Sequence, residues 1–281
     1  MDLPGASTLD CRVGAVTLHA VAAGKGPLAI FLHGITANAH VFLPLMSRLA
    51  DRFRVVSIDM RGHGRSSKPS SGYTADDYAD DIEGLVRHLD GGPALLAGHA
   101  LGARDALVAG ARSSGLISAV VAIDFTPFIE PAVFEALEQR VGGGNRLFAD
   151  VDAIRDALAE RYPLLPADAI QRRARYGYVE ADGGWRPLAD PAAMRQTAAG
   201  LRQDLAPALS AITVPTLLIR GAKSRFVSPE AWARTRALRP DIAMVEIADA
   251  DHYAAEEAPL PIAREIVRFW RRDVAHLQPP A

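Results

Sequence analysis

One stretch of the chain reads Leu95-Leu96-Ala97-Gly98-His99-Ala100-Leu101-Gly102-Ala103, an apolar run that passes through two glycines four apart into a helical pattern. A buried strand turning this sharply into a helix needs glycine two positions either side of the apex, because side chains there would collide. The apex residue is Ala100. A second group is Ile123-Asp124-Phe125-Thr126-Pro127, in which a carboxylate closes an apolar strand and is costly unless it has a partner. The third is His252, the one histidine of eight that lies between the last predicted strand and the last predicted helix. A histidine that can take a proton and an acid that can hold its tautomer are what nucleophilic acyl transfer requires. Cys11 is the only cysteine, so no internal disulfide is available and a thiol-based metal site is not expected, and acyl transfer by these groups calls for neither a metal nor an organic cofactor.

These residues are positioned by short β-like runs that alternate with helices, the pattern of an α/β fold on a largely parallel sheet. Strands are predicted over Arg12–Ala22, Leu28–His33, Arg54–Asp59, Ala94–His99, Ser118–Phe125, Thr216–Arg220 and Ala243–Ala248. Helices are predicted over Val41–Ala50, Ala75–Leu89, Leu101–Arg112, Pro229–Leu238 and Pro259–Arg272, with Thr74 and Asp77 forming a capping-box start. Residues 128–205 break the alternation with charged helices, the glycines Gly142-Gly143-Gly144 and an Asp182-Gly183-Gly184 turn flanked by Tyr178 and Trp185. The reading is a helical lid, 128–205, inserted after the sixth strand of a core made of 1–127 and 206–281. Such a lid would cover the sheet edge where open α/β folds bind ligands. Gln278–Ala281 reads as a frayed tail.

The 281 residues are 49% hydrophobic and carry 31 basic against 33 acidic side chains, which describes a globular chain with no electrostatic pull toward nucleic acid. Apolar runs such as Ile117–Ile123 fall far short of a membrane span, and Met1–Cys11 lacks the basic and apolar segments of a leader. A cytoplasmic protein without nucleic-acid or membrane partners is expected, with a homodimer left open.

The Gly98–Gly102 turn resembles the nucleophile elbow, G-x-S-x-G, of the α/β-hydrolase family. The resemblance extends to His33-Gly34-Ile35-Thr36, where that family carries an oxyanion loop, and to Arg61-Gly62-His63-Gly64-Arg65-Ser66, where it carries an R-G-x-G-x-S turn. It implies an eight-stranded, mostly parallel sheet flanked by helices, with His252 as base and the backbone N–H groups of Ile35 and Leu101 as oxyanion donors. The usual position of the acid, after the seventh strand, holds Ser224, so the acid is assigned to the minority position, Asp124; Asp249 and Asp251 compete from the histidine loop. The resemblance casts His33 and His99 as scaffold or pocket-flanking groups. His19, His40, His63, His88 and His276 read as ordinary, partly exposed histidines. Two readings of Ala100 stand side by side: a Ser→Ala change made to trap a ligand, which is favoured, and a natural protein that works without a serine.

Residues 128–205 contain ten Arg and no Lys against twelve acids, so most of these arginines are expected to be solvated. Arg140, Arg161 and Tyr162, at lid-helix ends, are the candidates to hold a substrate carboxylate, with Ser224 and His33 as further pocket contacts. Together with the strand-six acid they resemble amidases of pyridine-ring catabolism that open acyclic, carboxylate-bearing enamides. Carboxylesterases, lactonases and carbon–carbon bond hydrolases are the alternatives within the fold. A non-catalytic small-molecule binding protein is the alternative outside enzymology.

Overall fold

A computed structural model describes residues 3–113, 115–142, 144 and 146–277. Gly143, and the tail Gln278–Ala281, lie outside the described residues. In chain order the elements are β1 (Ser7–Val13), β2 (Val16–Ala23), β3 (Leu28–Leu32), α1 (Leu43–Met46), β4 (Arg54–Ile58), α2 (Ala75–Leu89), β5 (Ala94–His99), α3 (Leu101–Arg112) and β6 (Ile117–Ile123). An insertion follows, with α4 (Pro131–Gly142), α5 (Val151–Arg161), α6 (Ala167–Tyr176), the hairpin β7 (Tyr178–Ala181) and β8 (Gly184–Pro187), and α7 (Pro191–Gly200). The chain then forms α8 (Ala206–Ala211), β9 (Thr216–Gly221), α9 (Pro229–Leu238), β10 (Ala243–Ile247), α10 (Ala254–Glu257) and α11 (Pro259–Phe269).

Eight strands make one sheet in the order β1-β2-β4-β3-β5-β6-β9-β10. The pairs β1–β2 and β2–β4 are antiparallel and the other five are parallel. The central strands β3, β5 and β6 are buried along their whole length, as a sheet covered on both faces demands. One face packs with Tyr78, Leu85, Leu101 and Leu107 of α2 and α3; the other packs with Leu45, Ile262 and Ile266 of α1 and α11. A third apolar cluster, with Ile154, Leu158, Tyr162 and Ile170, belongs to the insertion and meets Tyr253 of the core.

Helix α2 starts as its sequence dictates: Thr74 Oγ1 accepts from the Asp77 N–H while Asp77 Oδ2 accepts from the Thr74 N–H at 2.8 Å. Two segments differ from expectation, while the turn expected at Asp182-Gly183-Gly184 is present. The single strand predicted over Arg12–Ala22 is a hairpin, because Gly14 takes φ 55 and reverses the chain between Val13 and Val16. The helix predicted over Val41–Ala50 is a 3-10 turn, Ala39–Phe42, capped by Asn38, followed by one α-helical turn. Around the Asp182-Gly183 turn the insertion forms the β7–β8 hairpin, with Gly183 at φ 83, where a side chain would be strained.

Candidate active site

The elbow is built by close packing. A Cβ on Gly98 would lie 2.1 Å from the Gly102 carbonyl oxygen, and a Cβ on Gly102 would lie 2.1 Å from that of Leu32, so only glycine lets α3 leave β5 at this angle. Ala100 sits at the apex with φ 48 and ψ −108, a conformation L-residues seldom adopt. Its N–H donates to the Ile123 carbonyl at 3.0 Å, which ties the apex to the residue before Asp124.

Asp124 also lies at positive φ, 51, and is fully buried. Its Oδ2 accepts from Ser224 Oγ at 2.6 Å and from His252 Nδ1 at 2.7 Å, and its Oδ1 accepts from the Gly221 N–H at 3.1 Å. Burial pushes the carboxyl up to about 7, against the pull of the Ser224 and Gly221 hydrogen bonds. The competing acids are engaged elsewhere. Asp251 accepts the backbone N–H of His252 at 2.7 Å, and the exposed Asp249 pairs with Lys223.

Because Asp124 accepts a hydrogen bond from the Nδ1–H of His252, Nε2 carries the lone pair, and no group among the described residues bonds to it. Burial pushes this imidazole down to about 3, with the positive charge of Arg140 acting in the same direction and Asp251 opposing. The ring is packed by Phe226, with centroids 4.3 Å apart, and by the edge of Tyr253 at 4.8 Å. His99 Nε2 bonds to the His252 carbonyl at 2.7 Å and so anchors the histidine loop to the elbow.

The loop after β3 completes the arrangement. A Cβ built on Gly34 would sit 3.6 Å from that of Ala100, so this backbone faces the apex directly. Thr36 has φ 65, a turn that carries the chain away from the sheet. Neither the Ile35 nor the Leu101 N–H has an acceptor among the described residues. Two free donors at a site facing an apex residue suit a developing oxyanion.

From Thr36 a cleft runs up into the insertion, lined by Asn38, Arg140, Arg161, Tyr162, Arg173 and Met194 among others. Arg140 and Arg161 have no carboxylate partner among the described residues. Tyr162 is buried beneath guanidiniums, with Arg173 at 4.8 Å and Arg161 at 5.4 Å from its ring centre. Burial raises its phenol, but Arg173, Arg161 and Arg140 outweigh that and hold it below its ordinary value.

Two residues expected at the pocket have other employment. His33 is fully buried; Nδ1 donates to the Gly34 carbonyl at 2.8 Å and Nε2 accepts from the Met60 N–H at 3.0 Å, so no ring nitrogen remains for a ligand. Ser224 donates to Asp124 and accepts from the N–H groups of Phe226 and Val227 at 3.1 Å each, so its hydroxyl is engaged by the acid and by its own loop. His63, expected to be partly exposed, is buried with its ring 4.8 Å from that of His33, because the 60–66 turn folds beneath the β3 loop.

Sequence reasoning missed Arg173, Glu256 and Tyr253. Arg173, on α6, donates from Nε to both Glu256 oxygens at 3.0 and 3.2 Å, and a third bond runs from Nη2. Arg172 Nη2 lies 3.6 Å from the same carboxylate. Arg173 is also 4.9 Å from the Tyr253 ring centre, so it binds the insertion to the segment just after His252. The available signal was position: Tyr253 and Glu256 follow His252 by one and four residues.

The α/β-hydrolase fold family matches residues 27–259. The chain belongs to that family. It is 52% identical to 2-(acetamidomethylene)succinate hydrolase of Mesorhizobium japonicum, over 92% of each chain. It is 30% identical to a pimeloyl-[acyl-carrier protein] methyl ester esterase of Stenotrophomonas maltophilia, over 93% of this chain and 98% of that one. The crystal structure of E-2-(acetamidomethylene)succinate hydrolase superposes with a TM-score of 0.93 at 50% identity, covering 95% of this chain and 99% of that one. The eight-stranded, mostly parallel sheet and its flanking helices are those of this fold. No helix among the described residues is long and apolar enough to cross a membrane.

Proposed function

We propose that the protein is a cofactor-independent hydrolase of small, carboxylate-bearing amides of the enamide type, and that Ala100 stands in place of the serine nucleophile of a Ser-His-Asp triad. The observation that carries the reading is the 2.7 Å bond from His252 Nδ1 to Asp124, held behind an elbow whose apex lacks only a hydroxyl. The similarity to 2-(acetamidomethylene)succinate hydrolase supports an amide of that kind as substrate. With serine at the apex, His252 Nε2 would take its proton as Oγ attacks the acyl carbon. The N–H groups of Ile35 and Leu101 would hold the oxyanion, each such donor being worth roughly 3–4 kcal/mol in the transition state. His252 would then protonate the departing nitrogen, and water would release the acyl group through the same histidine. The insertion acts as a lid, with Arg140, Arg161 and Tyr162 meeting the substrate carboxylate. The guanidinium fork matches a carboxylate's two oxygens, and neither arginine pairs with an acid among the described residues.

A second reading, a small-molecule binding protein, is favoured by Ala100 itself, since a chain without its nucleophile can hold a ligand without covalent turnover. The Ala100→Ser variant separates the two. Hydrolysis of 2-(acetamidomethylene)succinate well above that of its neutral methyl esters is expected. A variant that binds the acid but turns over no amide or ester would favour the binding protein.

A further inference from the structure

We propose that the chain as it stands, with Ala100, hydrolyses the same class of amide by a direct route in which His252 activates a water molecule in place of a serine. The proposal rests on the functional reading above and differs from it in the nucleophile. Three observations carry it. The Asp124 carboxylate fixes the His252 tautomer, and Nε2 is left with a lone pair that no described residue uses; the side chain is 15% exposed, so water reaches it. The elbow apex presents a methyl group, which neither donates to nor competes for that lone pair. The N–H groups of Ile35 and Leu101 meet no acceptor among the described residues, so they can hold an oxyanion whichever oxygen attacks. The framework behind these groups is complete without a hydroxyl: the Ala100 N–H bonds to the Ile123 carbonyl and the Asp124 N–H to that of Ile219 at 2.7 Å, holding both residues in the left-handed region.

In this route the water oxygen forms a bond to the acyl carbon while one of its protons passes to Nε2. The carbonyl π electrons move onto the oxygen held by Ile35 and Leu101. Collapse re-forms the carbonyl and breaks the carbon–nitrogen bond, and the proton on Nε2 goes to the departing nitrogen. One water is consumed and one carboxylic acid and one amine are released, with no covalent bond to the protein.

The test uses the full chain on 2-(acetamidomethylene)succinate, compared with His252→Ala, Asp124→Asn and Ala100→Ser, each checked for an unchanged melting profile. General-base catalysis contributes about 10²–10⁴-fold, so turnover by the unaltered chain is expected to exceed that of His252→Ala by about 100-fold or more. Asp124→Asn should fall well below the unaltered chain as well. A fluorophosphonate should leave the unaltered chain's turnover intact and label Ala100→Ser alone. Turnover no faster than His252→Ala overturns the proposal, and so does turnover extinguished by the fluorophosphonate. If His252→Ala fails to fold, equal rates for the unaltered chain and Asp124→Asn overturn it instead. Hydrolysis by Ala100→Ser alone rejects the direct route and leaves the function standing; no hydrolysis by either form rejects both.

Discussion

Glutamine at position 256 would remove one negative charge from between two buried guanidiniums and keep the side chain's shape. Glu256 is 5% exposed, bonded by Arg173 at 3.0 and 3.2 Å and approached by Arg172 at 3.6 Å, so solvent does little to screen the loss. Breaking a buried pair from one side costs about 3–5 kcal/mol, because the remaining charge is left uncompensated. Glutamine keeps one acceptor oxygen, and Arg172 keeps Asp168 at 3.0 Å, which places Glu256→Gln near about 3 kcal/mol. For a chain of this length, about 2 °C of melting temperature is lost per kcal/mol, so a fall of about 6 °C is expected at pH 7. The assay is calorimetry, paired with kinetics in the Ala100→Ser background. Arg173 packs on both Tyr162 and Tyr253, so kcat/KM for a carboxylate substrate should drop on the order of tenfold. The double variant Arg173→Met with Glu256→Leu should recover much of the stability but not the kinetics, since apolar groups can replace a buried pair in packing. A melting temperature within about 1 °C of the parent for Glu256→Gln would refute the view that this pair fastens the insertion to the histidine loop.

Three further outcomes are expected. Ser224→Ala should cost about 1.5–3 kcal/mol at pH 8 by removing a donor from the buried Asp124 carboxylate. The folded carboxyl sits near 7, above its ordinary 3.8, so the cost of keeping it ionised is full above that value and is relieved as pH falls. The loss on melting should therefore be smaller at pH 5 than at pH 8. In the Ala100→Ser form, the limb of kcat/KM that reports protonation of His252 should lie below the ordinary imidazole value of 6.5, because burial and the charge of Arg140 disfavour the protonated ring. Arg140→Gln should move that limb to higher pH, and a limb unmoved by the change would remove Arg140 from the site's electrostatics. Arg161→Ala should reduce selectivity for a carboxylate substrate over its methyl ester by about thirtyfold or more, from roughly 2 kcal/mol of lost charge pairing. Equal losses on both substrates would mark Arg161 as a packing residue.

The sheet was legible wherever a strand is uniformly apolar and buried, as in β3, β5 and β6, because burial on both faces leaves no polar alternation to misread. It was less legible at Arg12–Ala22, where the turn depends on the positive φ of Gly14 and the flanking residues continue the β pattern on both sides. The relation of Asp124 to His252 was readable from cost: a carboxylate closing an apolar strand demanded a partner, and the structure sets His252 Nδ1 2.7 Å away. The hydrogen bonds of Ser224 and His33 were not legible, because residue type says nothing about which polar atoms are already spent on backbone and carboxylate. Arg173 was lost among ten arginines of the insertion. What distinguishes it, burial between two tyrosines and an ion pair to Glu256 some 83 residues on, is tertiary and leaves no local pattern.

The proposal tested most directly is that Ala100 stands where a serine nucleophile would complete the Asp124–His252 site. Its most direct measurement is the rate of 2-(acetamidomethylene)succinate hydrolysis by the Ala100→Ser variant relative to the unaltered chain, with His252→Ala added to the variant as control. A triad nucleophile is worth on the order of 10⁶ in turnover in an unrelated protease, of which residual general-base catalysis recovers some 10²–10⁴, so a gain of about 100-fold or more that His252→Ala abolishes is predicted. An Ala100→Ser variant that folds, yet neither turns over this amide nor any ester nor takes a fluorophosphonate label, would contradict it.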